Sequence, residues 1–206
     1  AHHATYKQPM LYRNASPRQA TKLITSSSRQ KLWQHALDVF RQLRQMGIRP
    51  QLITLSALIC ACSRGSQWER SLRILAAMQQ ERLRPDIITY NASISACAKG
   101  QQWIWAVSLL DTIGREGLQA DVITYTSLIT ACETGHRWVL ALKFLDAMRQ
   151  EKLTPNVITF SALISACEKG SLWLQALNLL VDLRQQSLQP NIITCNASIS
   201  ACEKGQ

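Results

Sequence analysis

The thirteen residues ITYNASISACAKG, from Ile88 to Gly100, return almost unchanged as ITCNASISACEKG, from Ile193 to Gly205. The two copies lie 105 residues apart, three periods of 35, and the rest of the chain keeps that interval. Trp33, Trp68, Trp103, Trp138 and Trp173 follow it, as do Gly65, Gly100, Gly135, Gly170 and Gly205. Pro50, Pro85, Pro155 and Pro190 share one phase, with Ala120 in the remaining place. A short unit repeated at fixed spacing cannot bury its own apolar face and must stack on its neighbours. The chain therefore divides into a basic N-terminal segment, 1–16, and an array with units 17–51, 52–86, 87–121, 122–156 and 157–191 and a partial unit 192–206.

Within one unit the spacing predicts two helices. In 122–156 the first carries Ile123, Leu128, Ile129 and Cys132 and stops at Gly135, a residue suited to a helix C-terminus. The second carries Trp138, Ala141, Leu142, Leu145 and Met148 at amphipathic spacing, and Pro155 breaks the pattern before the next unit. The β-branched run VITYTSLIT would suit a strand in isolation, but its recurrence beside a second amphipathic stretch favours a helical solenoid. The tryptophan column is expected in the core.

The 206 residues carry 23 Lys and Arg against 13 Asp and Glu, a formal charge of +10 that favours a polyanionic partner. No acidic residue precedes Asp38. Cys62, Cys97, Cys132, Cys167 and Cys202 each follow an alanine at the repeat interval, so they read as small packing groups and as free thiols of a reducing compartment. Cys60 and Cys62 do not have zinc spacing, and no metal or other cofactor is expected. No apolar run reaches the ~18 residues of a membrane span. Only His35 and His136 fall inside the repeats, and neither a phosphate-cradling glycine loop nor a deaminase-type zinc motif occurs, so no enzyme activity is expected.

Val122 to Asn156, with its opening V-x-T-Y, its Ala-Leu pair and its closing L-x-P-N, resembles a pentatricopeptide repeat. The resemblance spans about 17–206 and is weakest in 17–51, where Arg18 and Ala20 replace apolar and aromatic residues. The helix-ending glycine also falls one residue earlier than the family pattern places it. Tetratricopeptide repeats are the nearest competitor, but they lack the junction L-x-P-[D/N]-[I/V]-I-T. The resemblance implies an all-α, right-handed superhelical solenoid of stacked antiparallel helix pairs. It also implies single-stranded RNA as partner, one base per unit along the first helices, and a role in RNA processing or stability in a mitochondrion or plastid. The acid-poor start fits the end of a transit peptide.

In the family, the fifth and last residues of a unit read the base and an aliphatic second residue sandwiches it. Carried over, the sandwiching residues are Ile53, Ile88, Ile123, Ile158 and Ile193. The reading pairs are Ser56 with Asp86, Asn91 with Asp121, Thr126 with Asn156, and Ser161 with Asn191; Asn196 opens a pair whose second member is absent. A carboxylate accepts the ring N–H of uracil or guanine, whereas an amide donates to the bare ring nitrogen of adenine or cytosine. With small hydroxyl residues leaving room for a purine and Asn91 suiting a pyrimidine, the array is expected to prefer 5′-GUAA-3′. Thr21 with Gln51 decodes to no base.

The thirteenth residues, Arg29, Arg64, Lys99, Lys169 and Lys204, form a cationic column interrupted by Thr134. Two readings stand: a ridge that meets RNA phosphates, or charges that complement the negative C-terminal end of each first helix. A protein partner in the concave groove is the alternative to RNA, although such a partner would not require Ser, Asn or Thr at the fifth place and Asp or Asn at the last in four successive units. A stop at Gln206, straight after a first helix, fits a fragment of a longer array.

Overall fold

The computed structural model describes residues 17–30 and 32–205, with Pro17, Arg18 and Arg29 described in their backbone alone. The N-terminal segment 1–16 and the side chain of Arg29 lie outside the described residues. Eleven helices of thirteen residues follow one another and no strand occurs among the described residues: α1 (Pro17–Arg29), α2 (Trp33–Gln45), α3 (Leu52–Arg64), α4 (Trp68–Gln80), α5 (Ile87–Lys99), α6 (Trp103–Arg115), α7 (Val122–Thr134), α8 (Trp138–Gln150), α9 (Val157–Lys169), α10 (Trp173–Gln185) and α11 (Ile192–Lys204). None of them is long and apolar enough to cross a membrane. The β-branched stretches are helical because their Leu, Ile and aromatic residues recur at helical, not alternating, positions: Tyr125, Leu128, Ile129 and Cys132 all face inward from α7.

The helices form two layers. In one, α1, α3, α5, α7, α9 and α11 each touch the next in line. In the other, α2, α4, α6, α8 and α10 each lie against their own first helix and that of the following unit, with no close backbone approach to one another. A row whose members touch is shorter than a row whose members are held apart, so the array curves toward the first helices and their layer is concave.

The core runs between the layers without a break from α3 to α11, through residues such as Ile59, Met78, Ile94, Leu128, Met148 and Leu163, each fully buried. Leu58 and Ala61 of α3 belong to a smaller cluster formed with α1 and α2, and Phe40 and Ile74 pack against both. Cys62, Cys97, Cys132 and Cys167 are buried free thiols. Burial pushes Cys97 and Cys132 up to about 12 and Cys62 and Cys167 up to about 11, so all four stay protonated and act as apolar packing groups.

Two details depart from the sequence expectation. The tryptophans are not deep core: Trp33, Trp68, Trp103 and Trp138 are half-buried and Trp173 is exposed. Each lies over the helix-ending glycine of the following unit, Trp33 on Gly65, Trp68 on Gly100, Trp103 on Gly135, Trp138 on Gly170 and Trp173 on Gly205, and a Cβ on any of these glycines would overlap the indole Cδ1. Arg70 and Arg137 also lie over the rings of Trp33 and Trp103, each with its guanidinium carbon 4.7 Å from the ring centroid. The column is thus a seam between units. The glycines, moreover, have negative φ, −84° at Gly100 and −88° at Gly135, and the left-handed turn falls one residue later, on Ser66, Gln101, His136 and Ser171. Glycine stands there because an indole needs the space, not because the backbone needs positive φ.

Two glycine-to-alanine changes should therefore have opposite signs. Gly100→Ala must displace Trp68 and is expected to cost about 1–3 kcal/mol, as overpacking does. Gly114→Ala, in the last turn of α6 with no atom near the added methyl, should gain about 0.5 kcal/mol. Urea unfolding of the two variants checks both.

Candidate nucleic-acid interface

One face of each first helix is built to a common plan. In α3 it presents Ile53, Ser56, Cys60 and Arg64, and in α5 Ile88, Asn91, Ser95 and Lys99, at spacings that keep all four on one side of the helix. The isoleucine at its N-terminal end is 66% exposed at Ile53, 64% at Ile88, 61% at Ile123, 65% at Ile158 and 62% at Ile193. Five large aliphatic side chains left open in a row, at equal steps, are an apolar surface without an internal partner.

From unit 52–86 onward, the last residue of each unit caps the helix that follows with its side chain. Asp86, Asp121, Asn156 and Asn191 have extended backbones, and the Oδ1 atom of each accepts the backbone N–H of the threonine three residues on, at 2.8 Å from Thr89, 2.8 Å from Thr124, 3.0 Å from Thr159 and 2.8 Å from Thr194. The same threonine hydroxyls lie 2.6 to 3.1 Å from Oδ1. Capping therefore occupies one terminal atom and leaves the other, a second carboxylate oxygen on Asp86 and Asp121 and an NH2 group on Asn156 and Asn191. The former can only accept and the latter only donate. Gln51, at the equivalent place before α3, makes no side-chain cap.

Each fifth residue reaches the same threonine from the preceding unit. The hydroxyl pairs Ser56–Thr89, Thr126–Thr159 and Ser161–Thr194 stand 2.8, 2.7 and 2.7 Å apart, and Thr124 donates to Oδ1 of Asn91 over 2.6 Å. Asn91 in turn donates through Nδ2 to Asp121 over 3.0 Å, and Ser161 lies 3.4 Å from Asn191 Oδ1. The structure thus brings each of the four reading pairs together, two directly and all four through a buried threonine. Asn196 stands exposed on α11. The threonine column, Thr54, Thr89, Thr124, Thr159 and Thr194, escaped the sequence reading as a functional element. Its signal was a threonine three residues after a capping residue, the spacing of a capping box, which the structure completes at Asp121–Thr124 and Asn156–Thr159.

Burial raises the carboxyl pKa of Asp121, but the N–H and hydroxyl of Thr124, the amide of Asn91 and the N–H of Ile123 outweigh it and hold the group below its ordinary value. It is a carboxylate at neutral pH, and so an acceptor.

The thirteenth residues reach back across the unit boundary. Lys99 Nζ donates to the carbonyl of Ser63 over 2.9 Å, Arg64 Nη1 to Ser28 Oγ over 3.4 Å, and Thr134, which interrupts the cations, donates its hydroxyl to the Ala98 carbonyl over 3.1 Å. These groups serve the C-terminal end of the preceding first helix, where carbonyls lack partners and the dipole favours positive charge. Lys169 and Lys204 instead pair with Glu133 and Glu168, at 3.0 and 2.8 Å. Hydrogen bonds from Lys204 and then Ser200 overcome burial and keep Glu168 below the usual carboxylate value. Among the described residues, no group of His, Cys, Asp and Glu could hold a metal ion.

Three family profiles match the chain: "Pentatricopeptide repeat-containing protein" over residues 20–104, "Pentatricopeptide repeat domain" over 108–169 and "PPR repeat" over 158–188. No curated protein matches it. Among solved structures, the pentatricopeptide repeat protein PPR10 from maize is 27% identical with a TM-score of 0.64, over 89% of this chain and 26% of that one. The same maize protein in complex with an 18-nt psaJ RNA element aligns over 92% of this chain with a TM-score of 0.68, at 23% identity. The PPR domain of Arabidopsis thaliana protein-only RNase P 1, solved in complex with tRNA, is similar in fold at 16% identity, with a TM-score of 0.77 over 91% of this chain and 100% of that one. The chain thus spans about a quarter of the maize protein's length.

Removing one hydroxyl tests the node. Thr124→Val should cost about 1–3 kcal/mol in urea unfolding, because Asn91 loses its donor. The depressed Asp121 pKa means that its contribution is complete above the ordinary value of 3.8 and is lost as pH falls through the lower folded value. Asp121→Asn should therefore lose less stability than the wild type between about pH 5 and pH 2.

Proposed function

We propose, for a chain that belongs to the pentatricopeptide repeat family, that the concave layer of first helices binds single-stranded RNA and reads one base per unit. The observation that carries the reading is the division of labour within each capping residue. One terminal atom is spent on the helix, and the free atom is an acceptor at Asp86 and Asp121 but a donor at Asn156 and Asn191. That is the difference needed to separate uracil and guanine from adenine and cytosine.

The five exposed isoleucines bound four intervals, and each interval holds one reading pair. A base lying between consecutive isoleucines covers apolar surface on both of its faces while its edge meets the pair. Asn91 and Asp121, joined to each other, present an amide beside a carboxylate and suit uracil; Thr126 with Asn156 suits adenine. Ser56 with Asp86 and Ser161 with Asn191 then suit guanine and adenine, which gives 5′-GUAA-3′ with the 5′ end at the N-terminal unit. The activity is binding without catalysis, in organellar RNA processing or stability. The maize and Arabidopsis proteins solved with RNA support the partner class.

Fluorescence anisotropy with short single-stranded RNAs tests it. Wild type should bind a GUAA core more tightly than GUGA or a scrambled core, and Asn156→Asp should move the preference to GUGA by about 5- to 100-fold, a typical span for one base. Asparagine and aspartate both cap, so the fold is kept. Equal binding of all three cores, or an unmoved preference in the variant, would sink the base assignment. Absence of binding to any RNA would turn attention to a protein segment in the groove.

A further inference from the structure

The unit 17–51 departs from the others at its last residue. Gln51 has an extended backbone, φ −89° and ψ 158°, as Asp86, Asp121, Asn156 and Asn191 do, and it precedes α3 as they precede α5, α7, α9 and α11. Its side chain nevertheless takes no part in starting the helix. The backbone N–H of Thr54, three residues on, donates to the Gln51 carbonyl over 3.0 Å, whereas the corresponding N–H groups of Thr89, Thr124, Thr159 and Thr194 donate to capping side chains. Glutamine is one methylene longer than asparagine and is not among the favoured caps.

The fifth residue of the same unit is placed as in the others. Thr21 Oγ1 stands 2.8 Å from the hydroxyl of the buried Thr54, as Ser56, Thr126 and Ser161 stand from Thr89, Thr159 and Thr194. The exposed Ile53 bounds the interval on one side. What differs is the hydrogen-bonding character on offer. A side chain that has spent one terminal atom on a cap presents the other alone. The Gln51 amide is exposed and uncommitted, and it keeps both its carbonyl and its NH2 group; rotation of the terminal torsion by about 180° exchanges them. The carbonyl can accept the ring N–H of uracil or guanine, and the NH2 can donate to the ring nitrogen of adenine or cytosine.

We infer that Thr21 and Gln51 hold a further base, directly 5′ of GUAA, without choosing among the four. The inference rests on the RNA-binding reading above, and it gives unit 17–51 a share in affinity but none in selection. Any base that covers Ile53 buries apolar surface, and any base finds one half of the Gln51 amide to complement its edge. Shortening the side chain ends this indifference. Gln51→Asn returns a side-chain cap to the Thr54 N–H and leaves only a donor, as at Asn156 beside Thr126. Gln51→Asp leaves only an acceptor, as at Asp86 beside Ser56.

Fluorescence anisotropy with AGUAA, CGUAA, GGUAA, UGUAA and a GUAA preceded by an abasic nucleotide tests it, the abasic strand keeping the same phosphates. Wild type should bind the four complete RNAs within about 2-fold of one another, since contact with a base face is sequence-tolerant, and the abasic RNA more weakly. Gln51→Asn should favour AGUAA over GGUAA, and Gln51→Asp the reverse, each by about 5- to 100-fold. Both variants should raise the urea midpoint through the restored cap and keep the preference for AGUAA over AGUGA or for GGUAA over GGUGA, which shows that the fold and the other units are intact. A wild type that selects one 5′ base by about 5-fold or more, an abasic RNA bound as tightly as the rest, or variants that stay indifferent overturns the inference and leaves the GUAA reading standing. A wild type that binds GUAA no better than a scrambled core overturns the reading on which it rests.

Discussion

No unit of this chain can stand on its own, and the contact that lets units join is the close approach of an indole to a helix end. Each tryptophan that opens a second helix lies where only the glycine capping the next unit's first helix leaves room. That contact fixes how near the second helix of one unit comes to the first helix of the next, and hence how the continuous core is closed between layers. The concave surface inherits its regularity from it. Isoleucines, capping residues and threonines recur at equal steps because the seam beneath them recurs at equal steps.

A second constraint acts at the boundary itself. The threonine hydroxyl is buried, and a buried hydroxyl needs partners. It finds them in the capping residue of its own helix and the fifth residue of the preceding unit, so one small side chain orients two others. The pairs proposed to read bases are therefore held in place without any ligand. A preordered site avoids the entropic cost of arranging its polar groups on binding.

The period, the helix pairs and the pairing of each fifth residue with the last residue of its unit were legible in the sequence because stacking demands that equivalent residues meet equivalent surroundings, and identical letters at 35-residue intervals report that directly. What was not legible depends on which neighbour a side chain reaches. Trp68 and Gly100 are 32 residues apart, and nothing in either marks the contact; a glycine at a helix end reads as a turn residue until the indole above it is seen. The threonines were visible as letters but read as part of a repeat signature, since their bonds run to a different unit. Lys169 and Lys204 looked like Arg64 and Lys99 in a column of cations. Their pairing with Glu133 and Glu168 shows only in the structure.

The double duty of the capping residues also bears on how such an array changes through descent. Aspartate and asparagine are nearly equal as caps, yet the atom each leaves over has opposite hydrogen-bonding character. A single-letter exchange between them can alter what a unit recognises while its first helix starts as firmly as before. Most other residues at that place would weaken the start of the helix, whatever they did for recognition. Selection for folding thus favours capping residues at this position, from which Gln51 departs, and under the proposed role an exchange between aspartate and asparagine lets recognition drift unit by unit.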